Sequence, residues 1–240
     1  MTFGNSRDTI PIRPAANQVS CYYVLRIAYR KTISSGGYLR MEDEVRIREM
    51  QKTDIPKLAE VLGRAFATNP VQLAVYGDKP RIAHRVQITF EATLKYGPGK
   101  CFVSELDGQI AGGMRIIRWP DCQRMSLKVM PSVLRTVGGL GPLVRGMKHI
   151  GAWNKHDPKR LHWHLGPIGV APEVQHKGIG SHLMRFYCDL LDEDAIDGYL
   201  ETDRPENVPF YERFGFRVVE EDIVVGIRNW FMLRPAKLNK

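Results

Sequence analysis

The stretch from Ile168 to Met184 (IGVAPEVQHKGIGSHLM) restricts the fold of this chain more than any other segment. Apolar β-formers run up to Val170, glycines stand at 178 and 180, and a helical apolar pattern over 178–191 follows at once. The pattern predicts a buried strand, a short turn and a helix entered through glycine. First-turn amides of such a helix have no intrahelical acceptor and carry the positive end of its dipole. Glycines let a ligand come close to that backbone. The arrangement is an anion site suited to a pyrophosphate. It is not a phosphate loop of the Gly-x-x-x-x-Gly-Lys-Ser/Thr type, nor the Gly-x-Gly-x-x-Gly dinucleotide fingerprint, because neither spacing occurs. Taken alone, Gly178-Ile179-Gly180 is more often an ordinary helix-start turn than a cofactor loop.

The remaining chain supplies a sheet around this unit. Val45–Arg48 alternates as a half-buried strand. Thr53 or Asp54 starts a helix with Pro56 in its first turn, and Thr68-Asn69-Pro70 is read as its end. A second helix is expected over 80–96. Strands follow at 101–105 and 109–118, joined by a tight turn at Leu106-Asp107-Gly108. Residues 124–155 are helical in pattern but broken at Gly138-Gly139 and Gly141-Pro142. Strands at 161–170 and 195–202, a short helix at 209–214 and two closing strands at 216–225 and 229–234 complete an α/β or α+β sheet of mixed direction.

Charge and cysteine usage narrow the function. Of the net charge of +9, +5 lies in residues 1–40. The basic excess is therefore largely an N-terminal feature, and no helix of stacked Arg/Lys or aromatic RNA-binding signature points to nucleic acid. Residues 1–40 are expected to be an extension separate from a domain at 41–240. They read as a disordered tail, a start misassigned upstream of Met41, or a basic, acid-poor transit peptide. No run approaches the ~20 apolar residues of a membrane helix. Cys21, Cys101, Cys122 and Cys188 are scattered, so they are expected to be reduced thiols of a cytoplasmic protein rather than a zinc site or disulfide framework.

The spacing Gln175-x-x-Gly178-x-Gly180 resembles the Gln/Arg-x-x-Gly-x-Gly/Ala loop of GNAT N-acetyltransferases, and Gly169-Val170-Ala171-Pro172 resembles its entry. Downstream, Asn207-Val208-Pro209-Phe210-Tyr211-Glu212-Arg213-Phe214-Gly215-Phe216 resembles the family's Asn…Tyr-Glu-Arg-x-Gly-Phe signature. With Val45–Arg48, Asp54-Ile55-Pro56, Ala65-Phe66, Leu200-Glu201-Thr202 and Arg228–Met232, the chain over about residues 44–235 is similar to the puromycin N-acetyltransferase group. The similarity is thin from 115 to 160. It implies a single GNAT-like domain with a mixed, mostly antiparallel sheet of about seven strands flanked by helices. It also implies acetyl-CoA as co-substrate, a small-molecule amine as acceptor and no metal. It leaves monomer or homodimer open.

By that resemblance, Ile168, Gly169 and Val170 pair with the pantetheine arm. Gln175, His176, Lys177, Gly178, Ile179, Gly180 and Ser181 surround the pyrophosphate, and Asn207 touches the coenzyme arm. Tyr211 protonates the leaving thiolate. Phe66 and Tyr76 wall the acceptor pocket, with Trp119 and Trp153 as further candidates. Tyr211 also reads as a core tyrosine, and Asn207 as a helix cap. Glu201, Asp203, His162 and His164 are candidates to take the proton of the attacking ammonium, Glu201 foremost. His162 and His164 share one face of a strand; with no third ligand in view they read as a hydrogen-bonded structural pair.

Overall fold

The computed structural model describes residues 45–77, 81–124 and 126–237. The expected N-terminal extension and its boundary lie outside the described residues. Seven strands form one sheet: β1 (Arg46–Glu49), β2 (Lys100–Leu106), β3 (Gln109–Arg118), β4 (His162–Val170), β5 (Asp197–Thr202), β6 (Arg217–Val224) and β7 (Ile227–Arg234). Their order is β1-β2-β3-β4-β5-β7-β6, and every pairing is antiparallel except β4 with β5. The two hairpin turns have the chemistry that a right-twisted ribbon favours. Asp107 and Gly108 join β2 to β3 with positive φ, and Val225 and Gly226 do the same between β6 and β7.

Helices α1 (Ile55–Ala65), α2 (Pro70–Tyr76), α3 (Ile82–Tyr96), α4 (Met130–Val137), α5 (Leu140–His156), α6 (Ile179–Asp194) and α7 (Asn207–Glu212) surround the sheet. Alternation along β2 sorts its two faces. Cys101 and Val103 pack with Leu58 and Leu62 of α1, whereas Phe102 belongs to the core built by Leu183, Met184, Tyr187 and Leu191 of α6. Leu58, Leu62, Leu183 and Leu191 are almost wholly buried, each contributing about 1.5–3 kcal/mol of transfer free energy. No helix among the described residues is long and apolar enough to cross a membrane.

Two local readings differ from the sequence expectation. Asn69-Pro70 starts a helix instead of only ending one: the Asn69 side chain accepts from the Gln72 amide at 3.1 Å and Pro70 takes the first helical position of α2. The second glycine break is no break, because Gly141 and Pro142 sit in the first turn of α5, and only Gly138 and Gly139, both at positive φ, interrupt the helical run.

The feature that positions the site is a bulge in β4. Met114 pairs with Ile168 and Ile116 with Leu165, so Arg115 alone faces Gly166 and Pro167. An extra residue bends the strand that carries it, and proline removes an amide from the ladder. On the other edge, β4 pairs with β5 only at His162, Trp163 and His164; beyond that point β5 continues along β7 alone. The two parallel strands thus part into a V whose open end holds Ile168, Gly169 and Val170.

Close packing of α1 on this sheet predicts a mutational contrast. A Cβ at Gly113 would lie 2.5 Å from the Phe102 carbonyl oxygen and 2.6 Å from Leu58 Cδ1, whereas one at Gly151 in α5 meets nothing within 4 Å. Gly113→Val is expected to destabilise by about 1–3 kcal/mol. Gly151→Ala is expected to stabilise by about 0.5–1 kcal/mol. Thermal melts of the two variants check both signs.

Candidate active site

The V opens onto a cleft of ≈670 Å³ lined by strand, turn and helix residues on one side and by the end of α1, the connection that follows it (Phe66, Thr68, Asn69) and α7 on the other. Ile168, Gly169 and Val170 form its wall at the end of β4. After Val170, the Ala171 amide donates to the Ala111 carbonyl at 2.8 Å, tying the start of the turn to β3. The turn runs through a 3-10 segment, Pro172–Val174, and then through His176 and Gly178, both with positive φ. The Gln175 side chain folds back and donates to the Val170 carbonyl at 3.0 Å. Arg64 of α1 clasps Glu173 at 2.8 and 3.1 Å from outside. Both groups are exposed, so this pair guides the turn more than it stabilises it.

Helix α6 begins at Ile179 behind Gly178, and no side chain caps it. Its first amides, at Ile179, Gly180 and Ser181, are therefore left for a ligand, and all three residues line the cleft. A Cβ at Gly180 would stand 3.7 Å from the Phe210 ring and 4.0 Å from Val170. The helix entry is thus accessible and not sealed by neighbouring side chains. His176, Arg204 and Arg213 add cationic or titratable groups to the rim. Glu206 also lines the cleft and pairs with Arg204 at 3.2 Å, so the uncapped amides and Arg213 are what it offers an anion.

Helix α7 closes the opposite side. Tyr211 is buried within it, with Phe210 at 5.3 Å and Phe216 at 6.5 Å between ring centroids, and it lines the cleft. Burial, reinforced by the carboxylates of Asp203 and Glu201, holds its hydroxyl protonated well above the ordinary phenol range. Asn207 lines the cleft as the first residue of α7 and donates to the Thr202 hydroxyl at 3.2 Å. It does not cap that helix, since the cap position falls on Glu206.

Several expected residues stand elsewhere. Lys177 is exposed and does not line the cleft. Phe66 lines it, against Phe90 in an edge contact at 5.2 Å. Tyr76 does not: it is buried with Val71, Val75, Val86 and Val137, its hydroxyl 3.2 Å from that of Thr89. Trp119 and Trp153 are also outside it, Trp153 stacking edge-on with His149 at 4.0 Å. Asp203 is occupied structurally. One of its oxygens accepts from Asn69 at 2.8 Å and the other from the Val71 amide at 2.8 Å, so it anchors the α1–α2 connection beside the cleft.

Glu201 is buried on the face of β5 shared with Tyr199 and lies 2.9 Å from His164 Nε2. It does not line the cleft around α6. His164 and His162 are not an isolated pair. Both contact one oxygen of Asp157, at 2.9 and 3.0 Å, and Cys122 Sγ lies 3.4 Å from its other oxygen. Asp157 precedes His162 by five residues, whereas Cys122 lies 40 residues from it and no local spacing signals its approach. The signal for the parting of the strands was present as Gly166-Pro167 inside an otherwise continuous strand pattern.

A model described as the Acetyltransferase (GNAT) family matches residues 71–216. Among solved structures, the fold is similar to one described as histone acetyltransferase HPA2 and related acetyltransferase, from Corynebacterium glutamicum. That likeness has 20% identity and a TM-score of 0.64, over 81% of this chain and 97% of that one. It is also similar to yncA of Salmonella typhimurium, solved with its cofactor acetyl-CoA, at 16% identity and a TM-score of 0.50 over 82% and 96% of the two chains. These structural likenesses speak for the fold, and the family model spans more than half of the sequence. The chain belongs to the GNAT acetyltransferase family.

Proposed function

We propose that this protein transfers the acetyl group of acetyl-CoA directly to an amine of a small molecule, with both substrates bound together. The observation that carries the reading is the parting of β4 from β5 next to an uncapped helix start, with a protonated tyrosine on the same cleft. In this reading the amides of Gly178 to Ser181 take the pyrophosphate, with Gln175 and His176 at the turn and Lys177 meeting it only from outside. The pantetheine lies along Ile168–Val170 as a substitute strand and reaches Asn207.

Acyl transfer from a thioester needs alignment first. Holding amine and carbonyl at attack distance supplies on the order of 7–11 kcal/mol. A β4 amide facing the thioester oxygen stabilises the developing oxyanion by roughly 3 kcal/mol. Tyr211 donates its proton to the departing thiolate; its buried, protonated hydroxyl is the required form at neutral pH. Glu201, held by His164, receives the ammonium proton. It reaches the amine through a solvent molecule or after side-chain movement, since it stands back from the cleft around α6. Phe66 walls the acceptor side. Tyr76 acts only indirectly, by packing α2 behind it. The acceptor as a free amine, the cytoplasmic setting and action without nucleic acid or membrane belong to the same proposal.

Two variants test it. Gly180→Asp places a carboxylate where the pyrophosphate binds, in a position with room for a side chain. Acetyl-CoA affinity by calorimetry is expected to fall at least tenfold, ~1.4 kcal/mol, with the thermal melt preserved. Equal affinity in a folded variant would reject the pyrophosphate site. Tyr211→Phe is expected to lower kcat by about 100-fold while acetyl-CoA binds as before. Because its hydroxyl is held above the usual value of 10.0, the wild-type rate should show no alkaline loss from this group below pH 10. The acceptor class is decided by assaying an amine library beside a peptide library. Turnover of peptides alone would replace the small-molecule acceptor with a protein one.

A further inference from the structure

At the far end of β4 from the cleft, four side chains of metal-binding type converge: Cys122, Asp157, His162 and His164. They come from separate places. Cys122 sits in the 3-10 turn Asp121–Gln123 after β3, Asp157 follows α5, and the two histidines alternate on one face of β4. Their nearest donor atoms all lie within 4.8 Å of one another. Asp157 Oδ1 is 3.0 Å from His162 Nε2 and 2.9 Å from His164 Nδ1, and Cys122 Sγ is 3.8 Å from His162 Nε2. For Zn–N, Zn–O and Zn–S bonds of ordinary length, the edges of a tetrahedron measure about 3.3–3.8 Å. The observed separations straddle that range.

The outward-facing atoms are also arranged as a metal site needs. His162 turns its other nitrogen, Nδ1, to the Arg160 carbonyl at 2.7 Å, and His164 turns Nε2 to the Glu201 carboxylate at 2.9 Å. A neutral imidazole with its proton on those nitrogens would present the lone pairs of His162 Nε2 and His164 Nδ1 to the cluster. Gln123 Nε2 donates to Asp157 Oδ2 at 2.8 Å and steadies the carboxylate. In that form, two lone pairs, a carboxylate and a thiolate sharing a buried space make a donor set for a cation. A thiolate, a carboxylate and two neutral imidazoles balance one divalent ion.

We propose that Cys122, Asp157, His162 and His164 bind one zinc ion in a closed, four-ligand structural site. Four protein ligands leave no position open for substrate, so the ion takes no part in acetyl transfer, which the family performs without metal. Its work is to pin the β3–α4 connection and the end of α5 onto β4, just before the bulge where β4 leaves β5. The proposal stands independently of acetyl-CoA binding.

The full chain, purified without chelator or added metal, is expected to carry one zinc per chain by elemental mass spectrometry. Chelator-stripped protein titrated with cobalt(II) should give the visible bands of a tetrahedral ion together with a near-ultraviolet thiolate-to-cobalt band. Cys122→Ser, at a half-buried position, should abolish the thiolate band and weaken zinc by at least about 100-fold. Gln123→Ala keeps all four ligands and should weaken zinc by about tenfold through loss of its bond to Asp157. Circular dichroism verifies folding of each. The proposal is overturned if folded wild-type chain retains no zinc and gives no cobalt spectrum. It is equally overturned if zinc affinity is unchanged in both variants, or if the thiolate band persists in Cys122→Ser.

Discussion

The bulge at Gly166-Pro167 governs this molecule. A parallel pair of strands buried on both faces ordinarily keeps its ladder to the end, because each unpaired buried amide or carbonyl costs free energy. Here the ladder between β4 and β5 stops at His164, and the next residues of β4 bend away. Of the groups beyond that point, the Val170 carbonyl accepts from the Gln175 side chain, and the parted edge is open to a ligand. A ligand with its own amides fits there, laid along the edge as a strand would be. The same bend delivers Val170 to the turn that enters α6, so the edge and the helix start face one cleft.

The chain's periodicities made the architecture legible. Strand alternation, the glycine stops and the turn chemistry at 106–108 predicted elements that the structure contains within a few residues, and the count of about seven strands holds. The glycine-entered helix at 178 was legible because such a junction has few physical uses. Asn69-Pro70 carries a double signal, because asparagine followed by proline both follows the end of one helix and caps the next: α1 ends at Ala65 and Asn69 caps α2, its side chain also donating to Asp203, 134 residues away. The position of Tyr76 follows from α2: as part of that helix it turns into the packing with α3 and α4 instead of toward the cleft.

The cluster beneath β4 was illegible for a different reason. Period-two spacing put His162 and His164 on one face, and Asp157 stands five residues before His162 at the end of α5, but Cys122 arrives there only through the path of α4 and α5, in the region where family resemblance is thinnest. Burial then makes the grouping consequential. His162 and Asp157 are almost wholly enclosed, so their polar atoms must be satisfied by one another or by an ion. Glu201 is the point of contact between this cluster and the chemistry, because its carboxylate lies against His164. A strand that anchors a buried polar group at one end and leaves its ladder at the other can be both rigid and open.

Amide hydrogen exchange on the full chain, measured with and without acetyl-CoA, tests the central claim most directly. If the coenzyme completes the edge of β4 and seats its pyrophosphate on α6, protection rises at Ile168–Val170 and at Ile179–Ser181, while the β6–β7 hairpin is unchanged. Acetyl-CoA at saturating concentration that leaves those two segments exchanging as in the free protein would contradict the account.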